Sequence, residues 1–332
     1  MSLFSYIKAF RQVYKEIQVQ RRYNQSFLLP YLQTLETKYQ GQFAPEQKHR
    51  IEKYYGLFIT SFLCSSYKRL YGTALTSAER KRATLFGILT PVGDDLFDTD
   101  QLDNESIRAI TFNPETYNAT TFSSKVAKEI QAFLLANVPH KAAYIQASAN
   151  VLDIQMATDA QKSPTISTTE LEHITYTKGA ASVIIYHQCL DMAADLPMQQ
   201  ALFYIGSLYQ LGNDIFDVYK DVRDNIYTLV NTCKNVTELK QQFLQRVREQ
   251  NGAIMALPCS QQNKKAFCIV MNTINARSIV ALNQFIALQQ KNNGSINWWQ
   301  LSRKDMIVDM EKPLNILRWL YYIWKLPKLL PA

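Results

Sequence analysis

Residues 197–224 read PMQQALFYIGSLYQLGNDIFDVYKDVRD. Pro197 opens the stretch, where a first helical turn accepts it. Leu208, Leu211, Ile215 and Phe216 recur at the three- and four-residue spacing of one helix face. The opposite side carries Asn213, Asp217 and Asp221, each four residues after the last, with Asp214 beside them. The spacing therefore predicts a helix from Pro197 to about Asp224, apolar on one side and acidic on the other.

Nearly every other segment has the same period, and none alternates convincingly like a strand. Helices are expected from about Leu3 to Phe27, on past Pro30 to Tyr39, and from Pro45 through Tyr71. Thr76-Ser-Ala-Glu79 is a capping box opening a helix to about Asp98, and Ser167-Thr-Thr-Glu170 is a second, opening one to about Asp195. Further helices are expected at Asn104–Phe112, Ser123–Leu135, His140–Asp159, Thr237–Leu257, Ser260–Gln290 and Arg303–Trp324. Only 10 glycines and 11 prolines occur in 332 residues, and 47% of the chain is hydrophobic. Few turn formers and much apolar material argue against both a sheet protein and a disordered one. No stretch looks like a domain linker. The expectation is an all-α fold: one large helical bundle over residues 1–332.

The net charge of +8 suits an anionic small molecule, a membrane surface or nucleic acid. The basic residues are dispersed, which disfavours nucleic acid. Five cysteines without a CxxC pair and four scattered histidines argue against a zinc site and a disulfide framework. Lys8 and Arg11 interrupt the first apolar stretch, unlike a signal peptide. No uninterrupted apolar run approaches a bilayer span of ~20 residues. A cytoplasmic protein is expected, with a peripheral membrane contact as an option.

Asp94, Asp95 and Asp98 close an otherwise apolar helix, with Asp94 and Asp98 on one face. Like charges four apart destabilise a helix by roughly 0.2–0.5 kcal/mol, and by more near an apolar interior. The acidic stripe of residues 213–221 has the same problem. Either both clusters are solvated helix faces, or a cation offsets them. Oxygen ligands without His or Cys point to Mg²⁺, which takes one or two carboxylates, waters and substrate phosphates.

Asp94-Asp95-x-x-Asp98 resembles the DDxxD motif of class I isoprenoid (terpene) synthases. Asn213-Asp214-x-x-Asp217-x-x-x-Asp221 is similar to their second motif, with Asp217 for Ser/Thr and Asp221 for Glu. Asn, Asp and Asp at this spacing, after Gly206 and Gln210, resemble the squalene/phytoene-synthase branch and its bacterial cyclase relatives. The resemblance covers about Ile51 to Leu229. Tyr176-Thr-Lys178-Gly179-Ala-Ala-Ser182 is similar to the central helix of these families, whose small residues break the helix beside the diphosphate. A close helix–helix contact is the other reading of those small residues.

The resemblance implies a helical bundle around a central apolar cavity, and a Mg²⁺-dependent terpene synthase that ionises and cyclises a linear prenyl diphosphate. Asp94, Asp95 and Asp98 would be catalytic and, with Asn213, Asp217 and Asp221, would hold several Mg²⁺ ions. The family's sensor arginine and C-terminal Arg-Tyr pair have no counterpart. Lys178, Lys220 and Arg223 are the candidate diphosphate ligands, while Arg80, Lys81 and Arg82 are expected on the outer surface. Phe97, Tyr176 and Tyr209 are candidate pocket aromatics that would face an allylic cation. A prenyl transferase of the same fold, condensing or chain-elongating, is the alternative. A non-catalytic helical binding or membrane-peripheral protein is the alternative of another class. Trp298, Trp299 and residues 314–330, with Arg318, Lys325 and Lys328, would cap the cavity, rest on a membrane or form an ordinary last core helix. The oligomeric state is left open, with a homodimer as one expectation.

Overall fold

A computed structural model describes residues 2–331, leaving Met1, Ala332 and the side chain of Asp98 outside the described residues. All regular structure described is helical. In order come α1 (Leu3–Tyr23), a π-helical turn (Asn24–Leu28), α2 (Leu29–Tyr39), α3 (Pro45–His49), a π-helical stretch (Arg50–Cys64) and α4 (Ser65–Leu70). Then follow α5 (Ser77–Asp98), α6 (Asn104–Phe112), α7 (Phe122–Asn137), α8 (Lys141–Ala157) and α9 (Thr168–Gln188). The rest is α10 (Leu196–Arg223), α11 (Val236–Ala256), α12 (Gln261–Lys291), α13 (Arg303–Met306) and α14 (Pro313–Lys325).

The chain divides into two compact units. One comprises Ile7–Leu152 and Ile185–Ala194, the other Met1–Tyr6, Asp153–Ile184 and Asp195–Ala332. In the first, α5 packs against α7 and the π-helical stretch. The approach is close because Gly87 has no side chain; a Cβ there would lie 3.2 Å from the Tyr55 carbonyl carbon. Both capping boxes form, at Thr76/Glu79 and Ser167/Glu170.

Glu79 does more than cap. Its fully buried carboxylate accepts from the amides of Thr76 and Asp191 and pairs with Lys68 at 2.8 Å. Those partners hold its pKa below the usual carboxylate value against the desolvation that would raise it. Arg80 and Arg82, expected on the surface, are buried instead. Arg80 donates to Gln20 and lies 3.6 Å from Glu16; Arg82 donates to the Cys189 carbonyl at 2.8 Å and pairs with Asp191. Each guanidinium finds a carboxylate and further acceptors inside, so burial leaves neither charge unmatched.

Glycine is scarce because other residues end the helices. Gln40, Gln101, Asn225 and Asn293 take left-handed φ values of 48–57° after α2, α5, α10 and α12. Two expected boundaries move. The helix opened by Ser167 stops at Gln188, and Asp195 instead caps α10 by accepting from the Met198 amide. The expected helix 303–324 is split: α13 ends at Met306, where Ile307 is already extended (ψ 129°), and Pro313 opens α14 after an extended Lys312 (ψ 131°).

In the second unit α12 packs against α10, α11 and α14. Among the described residues it is the one helix long and apolar enough to cross a membrane, and most of it is buried in the protein. Amides fix its neighbours. Asn272 donates to Asn251, and Asn251 donates to the carbonyls of Leu326 and Leu329 at 2.9 and 2.7 Å, which ties down the segment after α14.

Candidate functional site

The acidic stripe of α10 forms as the spacing predicts, but its members differ in burial. Asp214 is turned inward and is 7% exposed. Its carboxylate accepts from Gln210 Nε2 at 2.8 Å and from Thr175 Oγ1 of α9 at 3.3 Å. Desolvation pushes its pKa up to about 6, although Gln210, Lys178 and Thr175 pull the other way. Asn213 and Asp221 are half-buried, and Asp217 is exposed. Asp221 is pushed up to about 8, first by desolvation and then by repulsion from Asp214 and Asp217; Lys220 and Lys178 offset part of this. Asp217 is raised by desolvation and lowered by Lys220. Three carboxylates thus share a field that the nearby lysines do not neutralise.

Lys178 reaches this field because α9 and α10 nearly touch. A Cβ on Gly179 would lie 2.0 Å from the Gly206 carbonyl oxygen, and one on Gly206 would lie 2.2 Å from that of Gly179. The small residues of α9 therefore make a helix crossing, and α9 runs through them unbroken to Gln188. The helix break that the resemblance implied is absent.

Arg223 is engaged elsewhere: it is exposed and donates to both oxygens of Asp224, at 2.7 and 2.9 Å. A cation not anticipated from sequence is Arg246 of α11. Its guanidinium lies 3.4 Å from the ring centroid of Tyr176. Tyr176 is buried, and this ring face holds Arg246 rather than standing open. Phe243 and Val247 mark the buried face of α11, so Arg246 sits at its edge. That position was the available signal.

The first motif lies at the C-terminal end of α5, where the helix dipole is unfavourable to acids and no basic residue occupies the last turn. Asp94 pairs with Arg50 at 2.7 Å, and Arg50 also reaches the Tyr55 hydroxyl at 3.3 Å. Asp95 accepts from Gln47 at 2.6 Å, and its pKa is raised by desolvation and by Asp94 and Asp100. Asp98 extends the motif on the helix, but its side chain is outside the described residues. Phe97 and Tyr209 are half-buried.

Among the described residues, no group of three or more His, Cys, Asp or Glu side chains gathers around one point as a metal-ligand set. The donors present are oxygen-only, with like-charged neighbours. That chemistry fits Mg²⁺ held by one or two carboxylates with water and phosphate oxygens, and does not fit an all-protein cage.

No protein-family model matches the chain, and no curated protein or solved structure is significantly similar to it.

Proposed function

We propose that this chain is a Mg²⁺-dependent class I terpene synthase that ionises a linear prenyl diphosphate and cyclises the carbon fragment. The observation that carries the reading is the uncompensated carboxylate field on α10, with Asp221 raised to about 8 among Asp214, Asp217, Lys178 and Lys220. A carboxyl raised this far keeps its proton at neutral pH, and a divalent cation that displaced the proton would relieve the same repulsion. Asn213, Asp217 and Asp221 would hold the metal, and Asp94, Asp95 and Asp98 are the second candidate set.

Bound Mg²⁺ supplies Lewis-acid neutralisation of a diphosphate leaving group. Lys178 and Lys220 donate to the diphosphate oxygens, and these hydrogen bonds strengthen as the C–O bond breaks and its electron pair leaves with the phosphate. Buried Asp214 accepts from Gln210 of its own helix and from Thr175, which ties α10 to α9 beside Asn213, Asp217 and Asp221. Tyr209 of α10 would offer aromatic surface to the allylic cation, which ends as an alkene by losing a proton or as an alcohol by adding water and losing a proton.

The test is pyrophosphate release with Mg²⁺ from C10, C15, C20 and C25 prenyl diphosphates, each supplied singly, with product analysis. Expected is a product of unchanged carbon number, lost in Asp217→Asn/Asp221→Asn and in Asp94→Asn/Asp98→Asn. Doubled carbon number moves the chain to the condensing branch. No release from folded protein, with or without isopentenyl diphosphate, overturns the enzyme reading in favour of a helical binding protein.

A further inference from the structure

The second unit presents an apolar face that no other described segment covers. On α14, Leu317, Leu320 and Trp324 are 64%, 48% and 52% exposed, and on the first turn of α1, Leu3 and Phe4 are 75% and 74% exposed. The Tyr6 hydroxyl donates to the Trp324 carbonyl at 2.9 Å, which sets the first turn of α1 beside the C-terminal end of α14.

The orientation of α14 is fixed from its other side. Trp319 Nε1 donates to the Thr273 carbonyl at 2.8 Å, Tyr322 accepts from Asn283 at 2.9 Å, and Ile323 is buried. Residues 319, 322 and 323 therefore hold the inner face, and the outer leucines are not spare core. The last helix is a core helix on one side only.

The charge on this face has one sign. Residues 313–325 contain no Asp or Glu, and Arg318 and Lys325 are exposed. Lys328 follows, with Nζ 3.0 Å from the Trp324 ring centroid, and Lys325 Nζ lies 3.5 Å from the Tyr321 hydroxyl. The nearest acids in sequence, Asp309 and Glu311, precede the helix. A two-fold contact with a second copy through this face would bring like cations together without acids on the helix to pair them.

We infer that this face docks on an anionic lipid bilayer. The helix α14 lies in the interface plane, with Leu317, Leu320, Trp324, Leu3 and Phe4 at the headgroup–acyl boundary. Arg318, Lys325 and Lys328 meet lipid phosphates. Aliphatic and Trp side chains beside basic residues whose stems also cover apolar surface are what such an interface selects. Docking is independent of the proposed chemistry, and its test contains no substrate.

The experiment is flotation of the full chain with extruded vesicles of phosphatidylcholine alone, or with about 30% phosphatidylglycerol, in 50 and 500 mM NaCl. Each surface cation counts for about fivefold in affinity, so Arg318→Gln/Lys325→Gln/Lys328→Gln should weaken binding to the anionic vesicles about a hundredfold. High salt should act in the same direction. Leu317→Gln/Leu320→Gln should also weaken it, with circular dichroism showing both variants folded. Quenching by bromine-labelled acyl chains reads insertion in the unmodified chain, and should fall in Trp324→Phe. No binding to anionic vesicles, equal binding to neutral ones, or variants that bind unchanged would overturn the inference. So would a dimer in sedimentation velocity that Leu317→Gln/Leu320→Gln dissociates while vesicles stay unbound, which assigns the face to a second copy.

Discussion

Gly206→Ala and Gly93→Ala make the same chemical change in two helices and should move stability in opposite directions. At Gly206 the new Cβ would lie 2.2 Å from the Gly179 carbonyl oxygen and 2.6 Å from Ala180 Cα. Both obstacles are backbone, so α9 and α10 must separate by about 1 Å to reach ordinary contact. Overpacking of this kind costs about 1–3 kcal/mol. The rigid partners place Gly206 at the top of that range, and the helix preference of Ala over Gly returns about 1 kcal/mol. The net loss is about 2 kcal/mol. An unfolding entropy of about 2.1 cal/mol/K per residue gives about 0.7 kcal/mol/K for the chain, hence a Tm about 3 °C lower. At Gly93 nothing lies within 4 Å of the added atom. Only the preference remains, and Tm should rise by about 1 °C. Differential scanning calorimetry of both variants in reducing buffer measures the pair. A Gly206→Ala protein as stable as the parent would show that the crossing is not closed at the backbone, and would remove the account of how Lys178 reaches Asp214 and Asp221.

Asp221→Asn should stabilise the metal-free protein at pH 8 and make little difference near pH 4. The folded pKa, about 8, lies above the unfolded value of 3.8, so the wild type loses stability as pH rises through that window; urea melts at the two pH values that show the reverse order would refute the assignment. Mg²⁺ should correspondingly raise the wild-type Tm more at pH 8 than at pH 5, by thermal shift, and the gain should shrink in Asp221→Asn. Glu79→Gln should cost about 3–5 kcal/mol, because Lys68 would be left buried without its counter-charge; a denaturant midpoint close to wild type would contradict this. Gln40→Gly should stabilise by about 1 kcal/mol, since an L side chain at φ 51° is strained, and an unchanged melt would count against that.

Helix content was legible because period and capping are local. The Thr76 and Ser167 boxes, the Asn213–Asp217–Asp221 stripe and the start of α10 need only neighbours in sequence. What failed was non-local. Arg80 and Arg82 look like surface residues until Glu16, Gln20 and Asp191 are seen to receive them. Asp214 reads only as a neighbour of the stripe, and its inward turn depends on Thr175, 39 residues away. Arg246 carries no motif; its place at the edge of the buried face of α11 is the local sign, and the Tyr176 ring that it covers is brought to it by the fold. The helix ends at Tyr39 and Asp98 were legible, but the left-handed turns after them at Gln40 and Gln101 were not, because glutamine is an unusual left-handed residue.

The hydrogen bond from Tyr6 to the Trp324 carbonyl joins residues 318 apart. A ribosome adding about 5–20 residues per second separates the two partners by roughly 15–65 s. During that interval Tyr6 on the first turn of α1 lacks its acceptor, and the second unit cannot close around it until α14 is made. Its assembly is therefore a late event in synthesis, whereas Ile7–Leu152 needs only ten later residues, Ile185–Ala194, to be complete. A released fragment ending at Ala194 should already protect the first unit from protease while leaving Tyr6 accessible.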